Sequence, residues 1–242
     1  MQSAAAVPFV LHGDGASCRV RSWSGDPSVA QLVMYQQRRT PTPDDVRCWI
    51  DDLTARGFRR VRTGALNAAQ AASLTPHGFQ PIQRLALLEH RSPRDAARSP
   101  GSTDKLDAGA YQAASVVDRS AFASPWALDA TSIADVCHAT HRHRARAVLD
   151  DGRIVAFAIS GRDAGLGFLQ RLAVDPAHQR AGLGQRLVLD SLRWAARWRC
   201  HRVLVNTHVE NEPALTLYAR TGFVHLDEQL VVLEHPMAGG DG

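Results

Sequence analysis

The chain has 242 residues, 45% of them hydrophobic and 6% aromatic, with a formal net charge of +4. That length holds one large domain or two small ones with a substantial core, and the composition is that of an ordinary soluble globular protein. The balance is mildly basic and nearly all arginine, Lys105 being the only lysine; it suits an anionic cofactor without requiring one. No basic run interleaved with aromatics points to nucleic acid, and no segment reaches membrane-spanning length. Met1 to Gly13 lacks the basic start and long apolar stretch of a signal peptide, so the cytoplasm is the expected compartment. Cys18, Cys48, Cys137 and Cys200 have no paired spacing, which favours buried or free thiols over disulfides or zinc.

In chain order, Ala4-Ala5-Ala6 reads as part of a frayed terminus. Val33 to Ile50 reads as a strand followed by a helix, with Thr42 as N-cap, Pro43 as the first helical residue and Asp45 as the acidic first-turn residue. A strand at Arg60-Val61 then leads through a short helix and a Gly78-Phe79 turn into a strand ending Leu85-Ala86-Leu87-Leu88-Glu89-His90. Residues 91–105 are rich in Pro, Ser, Gly and charge and read as a linker. Helices follow at about 108–121 and 128–140. Strands at 145–149 and 154–160 are joined by Asp150-Asp151-Gly152-Arg153, a hairpin signal. A strand at 167–174 runs through Asp175-Pro176 into Gln179-Arg180-Ala181-Gly182-Leu183-Gly184. The helix at 183–199 carries Leu183, Leu187, Leu192 and Ala195 on one face and Arg186, Arg193 and Arg197 off it. A strand at 202–207, a helix at 212–221 and a closing strand pair complete the chain. The fold class is α/β, a mixed central sheet flanked by helices.

The two ends of this series resemble each other. Arg202-Val203, Gly222-Phe223 and Leu230-Val231-Val232-Leu233-Glu234-His235 repeat the order of Arg60-Val61, Gly78-Phe79 and Leu85–His90, which suggests a duplicated unit. Boundaries of 1–90, 91–105 and 106–237 follow, with the first piece a partial copy. Only the second copy has a glycine loop between strand and helix. Glycines there let the backbone approach a ligand, and the amides of the helix's first turn point at an anion. A pyrophosphate is the expected occupant. The first copy has no such loop and is expected to bind no second cofactor.

Leu172-Ala173-Val174-Asp175-Pro176 followed by Gln179-x-x-Gly182-x-Gly184 resembles the acetyl-CoA loop of the GNAT superfamily of N-acetyltransferases. Asn211, Ala214, Leu217-Tyr218 and Gly222-Phe223 match that family's next motif, and the resemblance covers about 107–235. It implies a GNAT fold in tandem with a degenerate partial N-terminal copy, and acetyl-CoA as cosubstrate with no metal. It implies that the backbone of Leu172, Ala173 and Val174 meets the pantetheine arm and thioester carbonyl, and that Arg180, Ala181, Gly182, Leu183, Gly184 and Gln185 cradle the pyrophosphate. Asn211 would bond the cofactor arm, and Tyr218 would protonate the leaving thiolate. A phenol suits that role because its pKa, about 10, lies above a thiol's, about 8.5.

Phe122, Pro125-Trp126, the strand 155–159 and Leu172 to Gly184 look closest to the ribosomal-protein N-terminal-alanine acetyltransferases. That branch commonly puts a glutamate base five residues before the asparagine, where this chain has Asn206; Gln170 and Arg171 stand where some histone-type relatives have a carboxylate. His208, Glu210 or a water chain are the remaining proton routes. The resemblance implies direct attack of a primary amine on acetyl-CoA in a ternary complex, the acceptor being a protein N-terminus, a lysine or, in the alternative reading, a small-molecule amine as in the mycothiol synthases. A sensor that binds acetyl-CoA without transferring it is the other alternative. His138, His141 and His143 read as a solvated loop rather than a metal site, and Trp194 and Trp198 as packing residues.

Overall fold

Periodic apolar strands and half-apolar helices assemble as an α/β protein of eleven strands and six α-helices among the described residues. The structure, a computed structural model, describes residues 8–14, 16–23, 26–34, 40–96 and 100–237. The expected frayed stretch at Ala4–Ala6 lies outside the described residues. In the first half the elements are β1 (Phe9–His12), β2 (Ser17–Trp23), β3 (Asp26–Met34), α1 (Pro43–Ala55), β4 (Arg60–Thr63), α2 (Ala68–Leu74) and β5 (Gln80–His90). In the second they are β6 (Asp104–Lys105), α3 (Tyr111–Ala121), α4 (Ala130–His138), β7 (Arg142–Asp150), β8 (Arg153–Asp163), β9 (Leu166–Val174), α5 (Leu183–Arg197), β10 (Arg202–His208), α6 (Glu212–Arg220) and β11 (Val224–Pro236).

The chain folds as two compact units, residues 1–86 with 227–242, and residues 87–226. The sequence boundaries at 90 and 105 follow chain order, whereas the first compact unit recruits residues 227–242 from the other end of the chain and the second is one continuous segment. In the first unit β1, β2 and β3 pair antiparallel, β3 and β4 pair parallel, and β4 pairs antiparallel with Glu234–Pro236 of β11. Its core is built on Cys18, Leu32, Trp49, Leu53, Val61 and Leu74, with Leu233 contributed by β11. In the second unit β6 to β9 pair antiparallel, β9 and β10 pair parallel, and the end of β5 lies beside β10.

Two expectations are corrected. The closing strand pair is one strand of 13 residues. Within the linker, Pro93–Asp95 form a 3₁₀ turn with Pro93 buried, and Asp104–Lys105 pair with β7. Residues 97–99 of it lie outside the described residues. Trp198 is not a core residue but 41% exposed, with the guanidinium of Arg162 4.5 Å from its ring.

The duplicated motifs assemble reciprocally. In the first unit Phe79 stacks on His235 at 5.0 Å, and Arg62 Nε donates to Glu234 at 2.9 Å. In the second, Phe223 meets His90 edge-on at 5.4 Å, and Arg202 reaches Glu89 at 3.5 Å. Each Gly-Phe turn therefore packs on the Glu-His strand end from the other copy.

Local chemistry accounts for the elements that hold the site. Asp151 and Gly152 have φ of 46° and 76° and Asp150 pairs with Arg153, the two-residue turn whose twist suits a hairpin. Helix α5 buries Leu187, Val188, Leu192 and Ala195. It is fixed to the sheet by Ser160 and Ser191, whose hydroxyls bond at 2.7 Å, and by the forked pair of Arg144 with Asp190 at 3.0 and 3.1 Å. Both buried hydroxyls are thereby satisfied, as burial requires.

Candidate active site

Two features of the second unit create an opening at the end of β9. The parallel ladder between β9 and β10 runs only from Leu166 to Phe168 against Arg202 to Leu204, although β9 continues to Val174 and β10 to His208. The register of β8 on β9 shifts between Ile159 and Ser160, leaving Gln170 as the extra residue of a bulge. Bulges increase local twist and turn a strand away from its neighbour. Leu172, Ala173 and Val174 thus keep their pairing with β8 while the ladder on the other side has ended.

Beyond Val174 the chain bends through Asp175, whose carboxylate accepts from Ala177 N at 2.9 Å, and His178, whose Nε2 lies 3.2 Å from Asp150. Arg180 and Gly182 then adopt left-handed backbone, φ 63° and 78°. Gly182 is the N-cap of α5 and offers no side-chain cap, and the first turn of α5 carries no acidic residue. The amides of Leu183, Gly184 and Gln185 precede the first helical hydrogen bond, which Arg186 N makes to Gly182 O at 3.0 Å. An uncapped helix start with positive dipole and exposed amides can hold an anion. A Cβ on Gly184 would stand 3.0 Å from Leu217 Cδ2, so this glycine also lets α5 approach α6.

The corresponding helix of the first unit is closed. Like α5, α1 connects two parallel strands. It begins with a complete capping box: Thr42 Oγ1 accepts from Asp45 N at 3.2 Å and Asp45 accepts from Thr42 N at 2.9 Å. Asp44 and Asp45 add two carboxylates to its first turn. An anion there would meet like charge and occupied amides.

Asn211 caps α6, its Oδ1 accepting from Ala214 N at 3.3 Å and its Nδ2 donating to Thr207 at 3.0 Å. Two turns beyond Asn211, Tyr218 is 5% exposed, its ring 5.6 Å from that of Phe223. Its hydroxyl has no hydrogen-bond partner among the described residues. Burial pushes its pKa well above the ordinary phenol value, and the Arg171 cation partly opposes that rise. The hydroxyl therefore keeps its proton through neutral pH, as a proton donor must.

Asn206 is exposed on β10. His208 Nδ1 accepts from Glu210 N at 3.2 Å, a tautomer that puts the ring proton on Nε2 and leaves no free lone pair for a base. The Glu210 carboxylate is 86% exposed. His138 closes α4 and His143 lies in β7, their rings 5.5 Å apart, so two of the three histidines belong to regular elements rather than a loop. No group of three or more metal-ligating side chains occurs among the described residues. No helix among them is long and apolar enough to cross a membrane.

Sequence reasoning missed the role of Arg171. Its Nε and Nη2 form a fork on Asp118 at 2.7 and 2.6 Å, and Nη2 also donates to the Trp126 carbonyl at 2.9 Å. Its guanidinium lies 3.6 Å from the centre of the Phe122 ring. Only the pairing of an arginine in one strand with an aspartate inside a helix could have hinted at this, and their separation hides it.

Residues 114–223 match the family described as Acetyltransferase (GNAT) family. N-alpha-acetyltransferase 30 of Xenopus laevis is 36% identical over 58 residues, which is 24% of this chain and 21% of that protein. Mycothiol acetyltransferase of Acidothermus cellulolyticus is 34% identical over 77 residues, 32% of this chain and 24% of that protein. The matches thus span about a quarter of the length of these curated relatives. Among solved structures, a tandem GNAT protein from the clavulanic acid biosynthesis pathway superposes with a TM-score of 0.68 at 12% identity, covering 98% of this chain and 86% of that one. Residues 114–223 thus resemble the GNAT acetyltransferases, and the chain shares the fold of a tandem GNAT protein.

Proposed function

We propose that the protein transfers the acetyl group of acetyl-CoA to a primary amine, using one cofactor site, in the unit of residues 87–226. The observation that carries this reading is the uncapped, acid-free start of α5 beside the diverging ends of β9 and β10, with the unbonded Tyr218 hydroxyl on the adjoining helix. Arg180 to Gln185 hold the pyrophosphate, the Leu172–Val174 backbone lines the pantetheine arm, and Asn211 Nδ2 turns its second hydrogen to the same arm.

The amine attacks the thioester carbonyl directly. A backbone N–H of β9 stabilises the oxyanion, an effect commonly worth about 3 kcal/mol. As the C–S bond breaks, the thiolate takes its proton from Tyr218, the ammonium proton of the adduct leaves to solvent or Glu210, and solvent returns a proton to the Tyr218 phenolate. Among the described residues of the 87–226 unit no cysteine or serine side chain is hydrogen-bonded to a histidine, which supports the single-displacement route.

Phe122 and Trp126 support an α-amine of a polypeptide as acceptor, in line with the likeness to N-alpha-acetyltransferase 30. The likeness to mycothiol acetyltransferase and the two-unit build favour a second reading, a small-molecule amine. Calorimetric titration with acetyl-CoA, then CoA release with alanine-initiated peptides, lysine peptides and small amines, tests all three statements. Binding with turnover on one class is expected. Binding without turnover on any acceptor supports the sensor, and absence of binding overturns the proposal.

A further inference from the structure

A buried polar cluster of the second unit centres on Arg171, immediately before Leu172. Asp118, in α3, is completely buried; besides the Arg171 fork it accepts from Leu128 N at 2.6 Å. The connection between α3 and α4, residues 122–129, is thus held at Phe122, at the Trp126 carbonyl and at the Leu128 amide by one guanidinium and its carboxylate partner. Phe122, Pro125 and Trp126 remain half-exposed along this connection. The Phe122 ring and the Trp126 carbonyl are anchored to β9 one residue before Leu172, beside where the thioester is expected. The Arg171 side chain itself is 16% exposed, so its donors face inward, and its field reaches Tyr218.

We propose that Arg171 is the positioning residue of the acceptor side, fixing the 122–128 connection against β9 so that it recognises the incoming amine and leaves donor binding untouched. The planar fork is what makes this possible, since one side chain satisfies a carboxylate and a carbonyl while stacking on a ring; a lysine ammonium holds only one of these in register. The inference rests on the acetyl-transfer reading above.

The test uses the full chain and two probes: CoA alone, and CoA joined through a thioether-linked acetyl bridge to the α-amine of an alanine-initiated peptide. The variants are Arg171→Lys and the double variant Arg171→Met with Asp118→Asn, which removes the fork without leaving a buried charge unpaired. The wild type should bind the joined probe at least tenfold more tightly than CoA. Both variants should lose most of that gain while binding CoA within twofold of wild type. Should the double variant fail to fold, Arg171→Lys alone is read.

A gain retained in the variants, or CoA affinity falling in parallel with it, would make Arg171 a structural staple and overturn the proposal. A wild type that binds CoA but gains nothing from the peptide defeats the peptide-acceptor reading together with this proposal, whereas a wild type that binds neither probe defeats the donor reading.

Discussion

Replacing Tyr218 with phenylalanine isolates the chemistry from the fold. The ring, 5% exposed and 5.6 Å from Phe223, stays in place because phenylalanine has the same shape. The lost hydroxyl has no protein partner among the described residues, so no hydrogen bond is broken and stability should change by less than about 0.5 kcal/mol. A general acid typically contributes about 10²–10⁴ in rate, equivalent to about 3–5 kcal/mol of transition-state stabilisation. Tyr218→Phe should therefore lower kcat at least a hundredfold, with acetyl-CoA affinity and melting temperature near wild type. The assay is steady-state CoA release with the acceptor that turns over fastest. Because burial raises the tyrosine pKa, the wild type should keep its proton donor beyond pH 10, the ordinary phenol value. A variant within threefold of wild-type kcat would refute the assignment.

Titration should give one acetyl-CoA per chain, because the capping box and the two carboxylates at the start of α1 exclude an anion; two equivalent sites would contradict this. Gly182→Ala should lose about 1–2 kcal/mol, since φ of 78° is costly for any residue with a Cβ although nothing lies within 4 Å of it. Urea unfolding measures that loss, and an unchanged midpoint would count against it. Burial lowers the pKa of His90, which packs against Gly222 and Phe223, while Asp95 opposes the shift. The native state then favours the neutral ring, so stability is fully present above the unfolded value of about 6.5 and falls as pH drops through the depressed native value. His90→Gln should flatten the urea midpoint between pH 7.5 and 5; an undiminished acid slope would assign it to other groups.

What could be read from the sequence was local. Thr42-Pro43-x-Asp45 announces its helix start, Asp150-Asp151-Gly152-Arg153 its hairpin, and Gly182 with Gly184 the start of α5, because each depends on neighbours a few positions away. The failures were long-range or graded. Arg171 and Asp118 are 53 positions apart, and no periodicity links them. The polar run Asp227-Glu228-Gln229 looks like a turn, but it lies inside one strand whose later residues pair with β4. Trp198 keeps the helical spacing of Trp194 yet falls on the C-cap, where arginines rather than core residues cover it.

The first unit takes residues 227–236 into its sheet and its core. During synthesis from the N-terminus, β4 must wait with one edge open, and the pocket for Leu233 unfilled, until the whole of the second unit has been translated. An open edge is a template for pairing with foreign strands. The nascent chain therefore needs shielding longest at its beginning, and a ribosome that stalls before residue 227 leaves the first unit, not the second, as the aggregating species.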